Sequence, residues 1–232
     1  MPSYLFPPAA PAAIGIQSSE QLFPVHRIYC VGQNYAKHAQ EMGSSGREAP
    51  FFFMKPADSI VFVPEGSTGQ IAYPSLTQDL HHEVELVIAI GQGGQNIAPE
   101  QALEHVFGYA VGLDMTRRDI QASLKKAGRP WSLAKGFDQS APIGPILPRQ
   151  AVPGIENASV RLLVNGSEKQ QGSTEELIWK LAEVIAHISN GWTLQPGDLI
   201  FTGTPAGVGP VVAGDVMQAQ IDGLPELRVQ VQ

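Results

Sequence analysis

The stretch Glu83-Val84-Glu85-Leu86-Val87-Ile88-Ala89-Ile90 decides how the rest of the chain is read. It is rich in β-branched residues and is closed by Gly91, Gly93 and Gly94, the pattern of a strand that runs into a turn. Along a strand, side chains two apart share a face, so Glu83 and Glu85 point the same way, followed by apolar Val87 and Ala89. That face tends toward burial, where two unpaired carboxylates are costly. A divalent cation would cancel their repulsion. Asp114, at the end of the next predicted strand (Phe107–Leu113), supplies a third oxygen if the two strands are neighbours. Three hard oxygen ligands leave open positions on Mg²⁺ or Mn²⁺ for a chelating substrate. The plainer reading is a solvated edge strand with exposed glutamates.

Around this strand the chain reads as many short strands with tight turns. It has 24 glycines and 19 prolines in 232 residues, well above the roughly 12% of an average chain. Charged residues are 16% and the hydrophobic set 43%, enough apolar material for a sizeable core and against disorder. Further strands are expected near Arg27–Val31, Phe51–Met54, Ile60–Val63, Val160–Val164 and Leu199–Thr202. The Asn165-Gly166 pair marks a hairpin turn. Pro99 to about His105 reads as a short helix with proline at its first position. Thr116, three residues before Asp119, resembles a capping box for a helix ending at Gly128. Ser173 with Glu176 resembles another, for a helix whose apolar stripe is Leu177, Ile178, Leu181, Val184, Ile185 and Ile188. Asn34 looks like the N-cap of a helix over Tyr35–Met42, stopped by Gly43. Residues 1–24, rich in proline and alanine, read as an arm that docks on a body formed by residues 25–232. The class is α+β, mostly β.

Net charge is −7 and no basic stripe is present, which argues against a nucleic-acid partner. The longest apolar run is far short of a membrane span, and the first basic residue is Arg27, so the expectation is a cytoplasmic protein with no membrane partner. The single cysteine, Cys30, excludes an internal disulfide and reads as a small buried strand residue.

Other residues bear on chemistry. His38 and Glu41, three apart on the predicted helix, share a face; a carboxylate beside an imidazole fixes its tautomer, as a water-activating base requires. A surface pair is the plain alternative. Arg118 and Gln121 share a face just beyond Asp114 and suit a substrate carboxylate and carbonyl. Lys135 is a lone lysine in an uncharged stretch and, taken alone, reads as solvent-facing. His81 and His82 lack the helical spacing of a zinc motif and read as packing or orienting groups. The glycines at 91–94 and 203–209 fit neither a dinucleotide fingerprint nor a P-loop. Thr204 and the amides beside it remain able to face a ligand.

Several of these runs together resemble the fumarylacetoacetate hydrolase family. They are Val31-Gly32-Gln33-Asn34-Tyr35-Ala36-Lys37-His38, Phe53-Met54-Lys55-Pro56, His81-His82-Glu83-Val84-Glu85-Leu86, Gly112-Leu113-Asp114-Met115-Thr116-Arg117-Arg118-Asp119, Lys135-Gly136-Phe137-Asp138 and Phe201-Thr202-Gly203-Thr204-Pro205. The resemblance spans about residues 25–231 and lies nearest the fumarylpyruvate hydrolase (acylpyruvase) branch; Gln33 stands where many relatives have arginine. It implies a mixed β-sheet roll with a few short flanking helices, a homodimer, and Mg²⁺ or Mn²⁺ (Ca²⁺ in some crystals) held by Glu83, Glu85 and Asp114. It further implies a catalytic set of His38, Glu41 and Lys135, and a substrate-binding set of Arg118, Gln121, Thr204 and Asn34. The implied reaction is cleavage of a 2,4-diketo acid to pyruvate and a carboxylic acid, in aromatic (gentisate-type) catabolism. Oxaloacetate decarboxylation and isomerisation of 2-hydroxyhepta-2,4-diene-1,7-dioate are the alternatives on the same fold. A non-catalytic metal-binding β-module is the alternative of a different class.

Overall fold

The computed structural model of the protein describes residues 3–36 and 48–232. An eight-stranded mixed sheet forms its centre, in the order β4 (Phe51–Lys55), β3 (Ile28–Gly32), β15 (Leu199–Phe201), β8 (Val84–Ile90), β9 (Val106–Leu113), β11 (Ala141–Ile143) and β5 (Ile60–Phe62), with β12 (Leu147–Pro148) also paired to β9. A five-stranded sheet runs β14 (Ser167–Ser173), β13 (Ser159–Val164), β17 (Val216–Ile221), β18 (Leu227–Val231) and β6 (Gly69–Ile71). A small sheet joins β10 (Thr116–Arg117), β7 (Leu80–His82) and β16 (Gly209–Val211), and a hairpin joins β1 (Ala13–Gly15) to β2 (Leu22–Pro24). The helices are short: α1 (Pro99–Ala102), α2 (Arg118–Lys126), α3 (Ser132–Lys135) and α4 (Leu181–Gly191). This is the mostly β, curled-sheet architecture expected from the sequence.

Strand β8 is buried on both faces, as a central strand should be. Val84, Leu86, Ile88 and Ile90 enter the larger core, which also holds the inner residues of the five-stranded sheet and Leu181, Val184, Ile185 and Ile188 of α4. Val87 and Ala89 enter a smaller core with Cys30, Phe201 and Ile143, closed by Ile14 and Phe23 of the β1–β2 hairpin. Among the described residues no helix is long and apolar enough to cross a membrane.

Three sequence expectations are corrected. The strand does not include Glu83, because the chain changes sheets there. Leu80–His82 pair with β10 and β16, whereas Val84–Ile90 pair with β9 and β15. Thr116 is no helix cap; it pairs with His81 across β10–β7, and Asp119 accepts from Thr77 and the Gln78 amide instead. Ser173 caps only a single 3₁₀ turn, Thr174–Glu176, and α4 begins at Leu181. The reason lies between them. Leu177 pairs with Tyr35 and Trp179 is bonded to Asn34, so this segment is drawn out to stitch two distant parts of the chain. The predicted helix over Tyr35–Met42 lies almost wholly outside the described residues.

A candidate metal centre at the end of the central sheet

Asp114 follows directly on β9, and its amide donates to the Glu83 carbonyl at 2.9 Å, so the end of β9 is tied to the start of β8. This register brings Glu83, Glu85 and Asp114 together, each offering an oxygen within 4.8 Å of the others. All three are buried. The exposed-edge reading of the glutamates is therefore excluded.

Cations meet these carboxylates from three segments. Lys135 Nζ donates to Glu83 Oε2 at 2.8 Å and to Asp114 Oδ2 at 2.7 Å. Lys55 Nζ lies 2.8 Å from Asp114 Oδ1 and donates to the Met115 and Lys135 carbonyls. Arg118 Nη2 donates to Glu83 Oε1. Lys135 is thus buried among carboxylates, contrary to its reading as a solvent-facing residue. Burial opposes its charge, but Asp114 and Glu83 outweigh that effect and raise its pKa. Lys55 is buried as well, and reading its residues did not assign it a role. Its only local signal is a lysine closing an aromatic strand before Pro56.

Glu85 stands apart from the lysines. Its Oε2 accepts from the Gly203 amide at 2.7 Å. Burial, then the charges of Asp114 and Glu83, push its carboxyl well above the ordinary carboxylate range. Gly203 is at φ +103°, and a Cβ there would come within 2.8 Å of the Asn34 Cβ, so the close approach of this amide requires glycine.

The surrounding polar groups fix this turn. Thr202 and Thr204 hydroxyls donate to the Leu86 and Val84 carbonyls. Gln170 Nε2 donates to Thr204 Oγ1 and the Pro205 carbonyl, while its Oε1 accepts from the Val84 amide and from His82 Nδ1. Burial lowers the pKa of His82 to about 4, so it is neutral and serves as an orienting group. Asn34 is fully buried, and its amide nitrogen donates to the Trp179 and Thr202 carbonyls while its oxygen accepts from the Trp179 amide. Asn34 therefore braces the turn beside the site through both its amide nitrogen and its amide oxygen.

Gln33, just before it, is held at φ +56°, an uncommon conformation for a residue with a side chain. It lines a small cavity over the carboxylates together with Phe53, Gln121, Trp131, Lys135 and Thr204. Gln121 Oε1 accepts from Arg118 Nη1 at 2.5 Å, which leaves its amide N–H groups for a ligand. His38 and Glu41 lie outside the described residues.

The donor set suits a hard divalent cation: three buried carboxylates from three positions, with no sulfur or imidazole among them. Asp114 Oδ1, though close to Lys55, lies off a hydrogen-bonding direction and accepts no hydrogen bond, an unsatisfied lone pair in a buried place. A ligand cation would use it.

A mixed sheet presenting buried carboxylates, lysines and an arginine around one cavity defines an enzyme site of the metal-and-anion type. Residues 27–232 match the model of the fumarylacetoacetate (FAA) hydrolase C-terminal family. The chain belongs to that family. The structure is similar to that of fumarylpyruvate hydrolase from Pseudomonas aeruginosa in complex with Mn²⁺ and pyruvate, with 54% sequence identity, a TM-score of 0.97 and coverage of 99% of each chain. Among curated proteins, the mitochondrial oxaloacetate tautomerase of Bos taurus is 42% identical over 88% of this chain and 91% of its own. The mitochondrial oxaloacetate decarboxylase of Dictyostelium discoideum is 43% identical over 85% and 89%.

Proposed function

We propose that the protein is a divalent-metal-dependent hydrolase that cleaves a fumarylpyruvate-like 2,4-diketo acid to pyruvate and fumarate. The observation that carries this reading is the meeting of the buried triad with Lys135 and Gln121 at one cavity, Arg118 being bonded to Gln121 and Glu83, a site shaped for the anionic, chelating end of a keto acid. The likeness to fumarylpyruvate hydrolase over 99% of both chains supports the choice of acyl group. A cytoplasmic homodimer working in gentisate-type aromatic catabolism is part of the same proposal and rests on the family resemblance.

Glu83, Glu85 and Asp114 would hold Mg²⁺ or Mn²⁺, which when bound polarises the oxygens of a keto acid and stabilises negative charge developing there. The remaining work falls to the chain's own residues. The free Gln121 N–H groups hold the substrate's carboxylate or carbonyl oxygen, and Arg118 orients Gln121 through Oε1. His38, with its tautomer fixed by Glu41, takes a proton from water as the water oxygen bonds to C4. The C3–C4 bond then breaks, with its electron pair leaving on the three-carbon fragment, and Lys135 donates hydrogen bonds to the enolate oxygen that results. Protonation at C3 gives pyruvate.

The curated relatives favour a second reading, tautomerisation or decarboxylation of oxaloacetate, which needs the same anion site but no attacking water. His38→Ala separates the two. For a hydrolase, kcat on an acylpyruvate falls by about 10²–10⁴, while metal binding and oxaloacetate decarboxylation change little. Equal losses on both substrates would assign His38 to positioning, and no loss would remove it from the mechanism.

A further inference from the structure

Beside the catalytic cavity runs a second groove of about 360 Å³, formed between the edge strand β4 and the turn that follows α2. Phe53 and Trp131 line both spaces, so the groove adjoins the catalytic cavity. Its walls are mostly apolar, with Ser132 a polar residue among them. Phe51 and Met54 there are 40% and 38% exposed, large apolar groups left at the surface. Among the described lining residues Arg129 is the one charge. Its guanidinium has no hydrogen bond or ion pair among the described residues, and no carboxylate lines the groove with it.

The backbone fixes where Arg129 stands. After α2 the chain reverses at Gly128, φ +62°, with Gly128 N donating to Lys125 O and Arg129 N to Leu124 O. Pro130 restricts the next residue. Leu124 and Gln121 both lie on α2, so Arg129 is anchored to the C-terminal end of the helix that carries Gln121. The Phe53 and Trp131 rings, which line both spaces, have centroids 5.8 Å apart. A flat, unsaturated acyl chain suits aromatic walls, and a cation at the far end suits a terminal carboxylate.

We infer that Arg129 receives the distal carboxylate of the substrate and selects acylpyruvates whose acyl chain ends in an acid. This rests on the acylpyruvate reading and adds to it the residue that sets the acyl preference.

The test compares fumarylpyruvate with acetylpyruvate, whose tail is neutral, in the wild type, Arg129→Leu and Arg129→Lys, all supplied with Mn²⁺. A charge-assisted hydrogen bond at a partly open site corresponds to about a ten- to hundredfold effect. Arg129→Leu is expected to lower kcat/KM on fumarylpyruvate by that factor, mostly through KM, and to leave acetylpyruvate unchanged; Arg129→Lys recovers part of the loss. Equal effects on both substrates, or no effect on either, overturn the inference while leaving the hydrolase reading standing. A wild type that cleaves neither acylpyruvate overturns the hydrolase reading and the inference with it.

Discussion

Asp114 shows how much of the site depends on single atoms. One of its oxygens is bonded to Lys135 and the other, near Lys55, accepts no hydrogen bond. Removing its charge leaves the buried Lys55 without its counter-ion, removing that of Glu83 takes one of two counter-ions from Lys135, and either takes a ligand from the cation. Glu83→Gln and Asp114→Asn should each abolish measurable Mn²⁺ binding in calorimetry, and unchanged affinity in both would contradict the three-carboxylate site. The grouping of the carboxylates is legible in the sequence from their closeness at a strand start and a neighbouring strand end, although Glu83 itself lies where the chain changes sheets. The lysines are not legible in this way. Whether Lys55 or Lys135 is buried depends on which distant segment brings a carboxylate to it, and nothing in a local run of residues records that. The bracing bonds of Asn34 are hidden from the sequence for a similar reason: the same side chain that caps helices also braces loops, and its partners, Trp179 and Thr202, are far away in sequence.

Among the elements, α4 illustrates the difference between a pattern and a boundary. Its apolar stripe was read correctly, and Leu181, Val184, Ile185 and Ile188 are buried in the larger core. Its start was not, because Leu177 and Trp179 are held by the Asn34 segment, a tertiary demand that overrides the helical spacing. Two substitutions separate these effects. Leu181→Ala, at a residue 1% exposed, should cost about 2–5 kcal/mol in chemical denaturation. Ser173→Ala, which removes the cap of a 3₁₀ turn alone, should cost about 1 kcal/mol or less. A large effect of Ser173→Ala with a small effect of Leu181→Ala would mean that the helix is organised from Ser173 after all. The hairpin at Asn165-Gly166 has a local signal, though Asn165 is also bonded to Asp215 and Val216. Both turn residues have positive φ, 51° and 79°, as the two-residue turn requires, and the sequence pair announces it.

At the scale of the molecule, one face of the central sheet packs on the five-stranded sheet and α4, and the other is closed by the N-terminal hairpin. Ile14 and Phe23 are buried there, and Phe23 stacks on Phe107 with ring centroids 5.7 Å apart. Composition marked this segment only as proline- and alanine-rich, so its docking surface was not readable from it. Deleting residues 1–26 should cost about 4–9 kcal/mol, from the burial of Ile14, Phe23 and Val25. Deleting residues 1–11, exposed wherever described, should change stability by no more than about 0.5 kcal/mol. Equal melting temperatures for the two truncations would show that the hairpin does not close the smaller core. The same sheet carries the carboxylates at one end of β8 and β9, where relatives of this fold are named for either hydrolysis or oxaloacetate chemistry. The most direct measurement is the turnover of purified protein on fumarylpyruvate and on oxaloacetate, with and without EDTA, following diketo absorbance and products. The account predicts loss of fumarylpyruvate with equimolar pyruvate and fumarate, abolished by EDTA and restored by Mn²⁺. Fumarylpyruvate left intact while oxaloacetate is turned over would contradict it.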